Sequence, residues 1–92
     1  MIRLNVFMLL EDTQKKAALK FVATELAEKS LREKGCIAYG LFESCLVDNH
    51  MMICETWESE EALKAHQQTE HYKRLSPKLR EIATLTVEKF YF

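Results

Sequence analysis

Between Glu55 and Tyr72 the sequence ETWESEEALKAHQQTEHY gathers a carboxylate, an indole, two imidazoles and a phenol. An imidazole titrates at about pH 6.5, which makes His66 the best proton acceptor in the set. Glu55 and Trp57 are two residues apart in a strand-like segment, so they point to one side of a sheet. A charge there needs a partner or water, and the indole offers both a flat stacking surface and an N–H donor. His71 and Tyr72 open the next helical segment, where a helix N-terminus favours anions and a neutral imidazole. Asn5 adds a polar amide to the middle of an otherwise apolar strand, and Tyr39 adds a phenol to another. Each residue also has a plainer reading: Glu55 as an edge ion pair, Trp57 and His66 as packed core groups, Asn5 as an amide satisfied by a neighbour.

The elements that must position these groups follow from the pattern. IRLNVFML (2–9) is rich in β-formers and reads as a strand. Asp12 or Thr13 caps a helix running to about Lys34 with Leu19, Val22 and Leu26 on its apolar stripe, and Gly35 is its stop. CIAYGLFE (36–43) and the segment 51–57 form a hairpin of two further strands. Ser59 caps a short helix to about Gln68, with Glu60 and Glu61 in its first turn. Thr69 caps another, which Pro77 is expected to kink or restart with Ser76 as cap. TLTVEKFYF (84–92) is the last strand. The order β-α-β-β-α-β, the second helical region split in two, predicts an α+β, ferredoxin-like fold with a four-stranded antiparallel sheet in a single domain over 1–92.

Helices on one face leave the other bare, although the strands carry apolar residues on both parities. A second copy of the sheet is the expected cover, which makes a homodimer. The formal charge of −1 is spread over 14 acidic and 13 basic residues, which excludes a nucleic-acid partner. The longest apolar run, Val6–Leu10, is too short for a membrane span, and nothing resembles a signal peptide, so the expected location is the cytoplasm. Cys36, Cys45 and Cys54 form no close pair and no disulfide framework. Together with His66 and His71, five apart across a helix break, they match no usual metal-ligand spacing, so no metal is expected.

EKGCIAYGLFES (33–44) and ICETWESEEALKAHQQTEHYK (53–73) resemble the antibiotic biosynthesis monooxygenase family of dimeric α+β barrels. The glycine after the first helix, the Glu-x-Trp strand ending and the Ala-Leu-x-x-His helix with His-Tyr five residues on carry the likeness over nearly the whole chain. Such families include cofactor-independent oxygenases of quinols and polycyclic phenols, haem-degrading oxygenases, and an isomerase of phosphorylated autoinducer-2. The haem degraders share Asn5 but carry tryptophan where His66 stands, and their iron-binding histidine falls near Ser76. The resemblance therefore implies a cofactor-free monooxygenase taking dioxygen and a small phenolic or quinol-type substrate. In it His66 is the base, Asn5 and Trp57 position substrate or oxygen, and His71, Tyr72, Glu55 and Tyr39 bind substrate. The alternatives are an isomerase or epimerase acting on a small carbonyl compound through an enolate, and a non-catalytic small-molecule-binding dimer.

Overall fold

The computed structural model describes all residues from Met1 to Phe92. Four strands, β1 (Ile2–Leu10), β2 (Cys36–Glu43), β3 (His50–Trp57) and β4 (Ala83–Tyr91), form one sheet in the order β2-β3-β1-β4. Every neighbouring pair is antiparallel. Three helices, α1 (Lys16–Ser30), α2 (Glu60–Gln67) and α3 (Glu70–Ile82), cover one face. This is the expected ferredoxin-like α+β topology.

Register decides which residues face the helices. Leu4 pairs with Glu55 and Lys89, Val6 with Ile53 and Val87, and Met8 with Met51 and Leu85. That parity, joined by Tyr39 opposite Glu55, meets Leu19, Ala23 and Leu26 of α1, Leu63 of α2, and Leu75 and Leu79 of α3 in one buried core. The other parity carries Arg3, Asn5, Phe7 and Leu9 on β1, and it is bare: Phe7, Leu9, Phe42 and Phe90 are exposed on it.

Three boundaries differ from the sequence expectation. α1 ends at Ser30, not Lys34, because the chain tightens into turns in which Arg32 N–H donates to Lys29 O and Glu33 N–H to Ser30 O. It also begins later: Asp12 Oδ1 accepts from Gln14 N–H and caps a single 3-10 turn, Thr13–Lys15, ahead of Lys16. α3 runs unbroken through Pro77, and Ser76 is no cap; its buried hydroxyl accepts from Arg80 Nη1 at 2.6 Å. The proline forfeits one backbone donor, while the packed face holding Leu75 and Leu79 keeps the helix on the sheet.

Gly35 does more than end a helix. Its φ is +89°, a conformation costly for any residue with a Cβ, and a Cβ there would meet the Ala62 Cβ at 2.6 Å. Its carbonyl also accepts from Glu58 N–H at 2.8 Å. The α1–β2 connection is thus pressed directly against the start of α2. Exchanging Gly35 for alanine meets both obstacles at once, and a loss of about 2 kcal/mol in urea unfolding is expected.

Candidate active site

α2 is set by Ser59, whose Oγ accepts from Ala62 N–H at 3.2 Å, and it buries Leu63 and His66. Its end is fixed by Thr69, whose hydroxyl donates to His66 O at 2.7 Å and accepts from Tyr72 N–H at 3.2 Å. One threonine therefore closes α2, opens α3, and holds His66, His71 and Tyr72 in a fixed relation.

His66 is 1% exposed. Its Nδ1 lies 2.6 Å from Glu33 Oε2, and His71 Nε2 lies 2.7 Å from the same oxygen. A carboxylate oxygen only accepts, so both nitrogens carry protons, and His66 is left with Nε2 free to take one. The rings of Trp57, at 4.4 Å between centroids, and Tyr72, edge-on at 5.0 Å, fix the imidazole plane. Burial pushes the His66 pKa below its ordinary value, against the hydrogen bond and charge of Glu33, which raise it. Such an imidazole is neutral at neutral pH and ready to accept a proton.

His66 lines a mainly apolar cavity of about 200 Å³ between helices and sheet. Tyr39, Glu55, Gln67, Tyr72, Ser76 and Arg80 supply its other polar groups, and Leu4, Val6, Ile53, Leu79, Leu85 and Val87 much of its wall. Glu55 is 4% exposed and makes no ion pair; its Oε1 accepts from Trp57 Nε1–H at 2.9 Å. Burial pushes its carboxyl up to about 7, opposed by hydrogen bonds from Trp57 and Tyr39 and reinforced by the Glu33 charge. Burial and the neighbouring Glu55 raise the Tyr39 phenol above its usual range, so it remains a neutral donor.

The sequence-selected residues thus divide. Tyr39, Glu55, His66 and Tyr72 line one cavity. Trp57, expected to stack on substrate, is wholly buried behind His66, and its N–H is taken by Glu55. His71, expected to hold a substrate oxygen, lies outside the cavity wall and braces Glu33 instead. Asn5 is on the bare face, paired in register with Cys54 and Glu88 and lining a shallow surface recess with Arg3, Phe90 and Phe92. The sheet therefore separates it from His66. Sequence reading missed Glu33, which it placed as an ordinary charged residue in the last turn of the first helix but which sits in the turns between α1 and β2.

The spacing argument against a metal also needs correction, since Glu33, His66 and His71 do bring three ligand atoms within 4.8 Å of one another. As they stand, their 2.6 and 2.7 Å separations are hydrogen-bond lengths with the carboxylate oxygen shared between the two rings. A zinc ion, bound at about 2.0–2.2 Å from each atom, would have to displace both protons and pull that oxygen aside. The cysteines offer no alternative: all three are free, Cys45 is exposed in the β2–β3 loop, and burial pushes the Cys36 thiol up to about 11.

The ferredoxin-like sheet and its helices thus enclose an apolar cavity with the His66 imidazole at its wall, the kind of concave, mainly apolar site with a few polar groups in which small molecules bind. Residues 1–78 match the model of the antibiotic biosynthesis monooxygenase family, and the chain belongs to that family. YcnE of Bacillus subtilis (strain 168), provisionally named a monooxygenase, is 30% identical over 66 residues, covering 72% of this chain and 70% of YcnE. A conserved Bacteroides thetaiotaomicron protein of unknown function, suggested to be an oxidoreductase, is 44% identical with a TM-score of 0.92, over 99% of this chain and 96% of that one. SnoaB of Streptomyces nogalater, a cofactor-independent oxygenase, shares the fold alone: 15% identity, TM-score 0.88, over 99% of this chain and 91% of that one. No helix is long and apolar enough to cross a membrane.

Proposed function

We propose that the protein is a cofactor-independent monooxygenase of a small phenolic or quinol-type substrate. The observation that carries this reading is the Glu33–His66 hydrogen bond, which presents a neutral imidazole with a free Nε2 to an apolar cavity. His66 takes a proton from the substrate, and the resulting electron-rich anion reduces dioxygen, which bonds to substrate carbon as a peroxide. The O–O bond then breaks, one oxygen staying on carbon and the other leaving as water, with all the electrons supplied by the substrate. The protein's part is to deprotonate, orient and exclude water. Family membership and the relationship to YcnE support the same reading. Oxygen uptake with a panel of hydroquinones and polycyclic phenols tests it, and a protein that consumes no oxygen with any of them does not fit.

Glu33 is a positioning residue in this scheme. Exchanging it for glutamine removes the charge that holds the His66 pKa up. The acid limb of the rate profile should move to lower pH and turnover should fall by up to about 10²-fold, as the ring loses its fixed orientation. A limb that stays in place would assign Glu33 to structure alone.

The bare sheet face is covered, in this reading, by a second copy of the chain. Phe7, Leu9, Phe42 and Phe90 form an apolar surface that no segment of the chain reaches. Sedimentation at micromolar concentration is expected to give two chains per particle, and a stable monomer there would contradict it.

A further inference from the structure

We propose that Glu55 is a second catalytic residue of the cavity: it holds its proton as a neutral carboxylic acid and gives it to an oxygen of the bound substrate as His66 removes a proton from the adjacent carbon. This rests on the reading of His66 as base. The substrate class it implies is an enolisable carbonyl compound or the keto form of a phenol.

The argument begins with what surrounds the carboxyl. Glu55 lies in the middle of the sheet, opposite Leu4 on β1 and Tyr39 on β2, and is covered by the helices. None of the ion pairs in the molecule includes it. The ionisable groups near it are Tyr39 and Cys36 from β2, Glu33 from the α1–β2 connection, His66 from α2 and Tyr72 from α3, with Arg80 on the cavity wall. Burial keeps the Tyr39 phenol and the Cys36 thiol neutral, and the charge of Glu33 opposes a second anion. Arg80 is hydrogen-bonded to Ser76 and makes no ion pair with Glu55, and a buried carboxyl without a paired cation keeps its proton more readily than a surface one. Trp57 links the two functional groups: its ring packs on His66 and its N–H holds Glu55 Oε1. A structural acceptor for that indole could have been a glutamine; a carboxyl adds a transferable proton.

The step balances without any oxidant. The C–H bond breaks, its proton goes to His66 Nε2, and its electron pair becomes the C=C bond. The carbonyl π pair moves onto oxygen, which takes the Glu55 proton, so the product is a neutral enol. Loss of the enol's O–H proton gives the electron-rich anion that the proposed oxygenation requires, and in a tautomerase the enol would be the intermediate itself.

The test uses the full chain, labelled with 13C at the glutamate side-chain carboxyl, and 2-tetralone as probe under nitrogen in D2O. One carboxyl resonance, missing from Glu55→Gln, is expected to titrate near neutrality, apart from the surface glutamates. The wild type is expected to exchange deuterium into the ketone. Glu55→Gln should exchange at least about 10²-fold more slowly and lose the fall in rate seen as pH rises through that titration. Glu55 titrating with the surface glutamates overturns the proposal. So does a Glu55→Gln protein that exchanges as fast as the wild type; in that case the base reading survives if His66→Gln abolishes exchange. A wild type that exchanges nothing sinks the base reading and the proton transfer together.

Discussion

Replacing His66 with glutamine is expected to lower turnover by about 10²–10⁴ while the protein still folds. Glutamine fills nearly the same buried volume and can still donate to Glu33, but it cannot take a proton. The acid limb of the wild-type reaction should lie below about pH 6.5, because burial lowers the His66 pKa and the imidazole must be neutral to act. Glutamine at position 66 should remove that limb. His71→Gln provides the contrast. Its ring touches Glu33 and not the cavity, so its effect reaches the substrate only through Glu33 and should stay below about 10²-fold. Saturating-substrate kinetics across pH separate the two, and wild-type turnover from His66→Gln would return that residue to a packing role.

Glu55 should make the protein less stable as pH rises. Its folded pKa, about 7, stands above the ordinary 4.5, so the folded state binds a proton that the unfolded state releases between those values. The stability this proton confers is complete below about pH 4.5 and is lost as pH climbs through about 7. The full difference corresponds to about 3 kcal/mol. Glu55→Gln keeps an acceptor for the Trp57 N–H and has nothing to ionise, so it should match the wild type at acid pH and exceed it by up to about 3 kcal/mol at about pH 8. His66 contributes with the opposite sign: its lowered folded pKa costs stability as pH falls below about 6.5, and that contribution is common to both proteins. Urea unfolding at several pH values measures the difference directly. Parallel stability curves would mean that Glu55 is ionised in the folded protein at no cost.

The elements were legible because each carries its own local signal. Alternation marks β1 and β4, the 3.6-residue stripe of Leu75 and Leu79 marks α3, and Ser59 and Thr69 announce helix starts by the hydroxyls that accept their N–H groups. Gly35 was equally readable as a stop, but its contact with Ala62 was not, since nothing in a sequence says which helix a turn will touch. α1 was read four residues too long for a related reason. Residues 31–34 are compatible with a helix, and only the need to reach Gly35 against α2 tightens them into turns.

For the site, the sequence by itself determined the inventory and the parity of each strand: Glu55 with Trp57 on one side, Asn5 opposite in sense to Leu4 and Val6. It could not determine which parity the helices would cover, and that choice removed Asn5 from the cavity. Nor could it separate a residue that lines a cavity from one packed just behind it, which is the difference between His66 and Trp57 or between Tyr72 and His71. Glu33 lies 33 residues from His66 and 38 from His71. Only the tertiary structure decided that all three meet, because the meeting depends on the close approach at Gly35 and the double cap at Thr69 acting together. Local pattern fixes where a side chain points relative to its own backbone; the packing of three separate segments fixes what it points at.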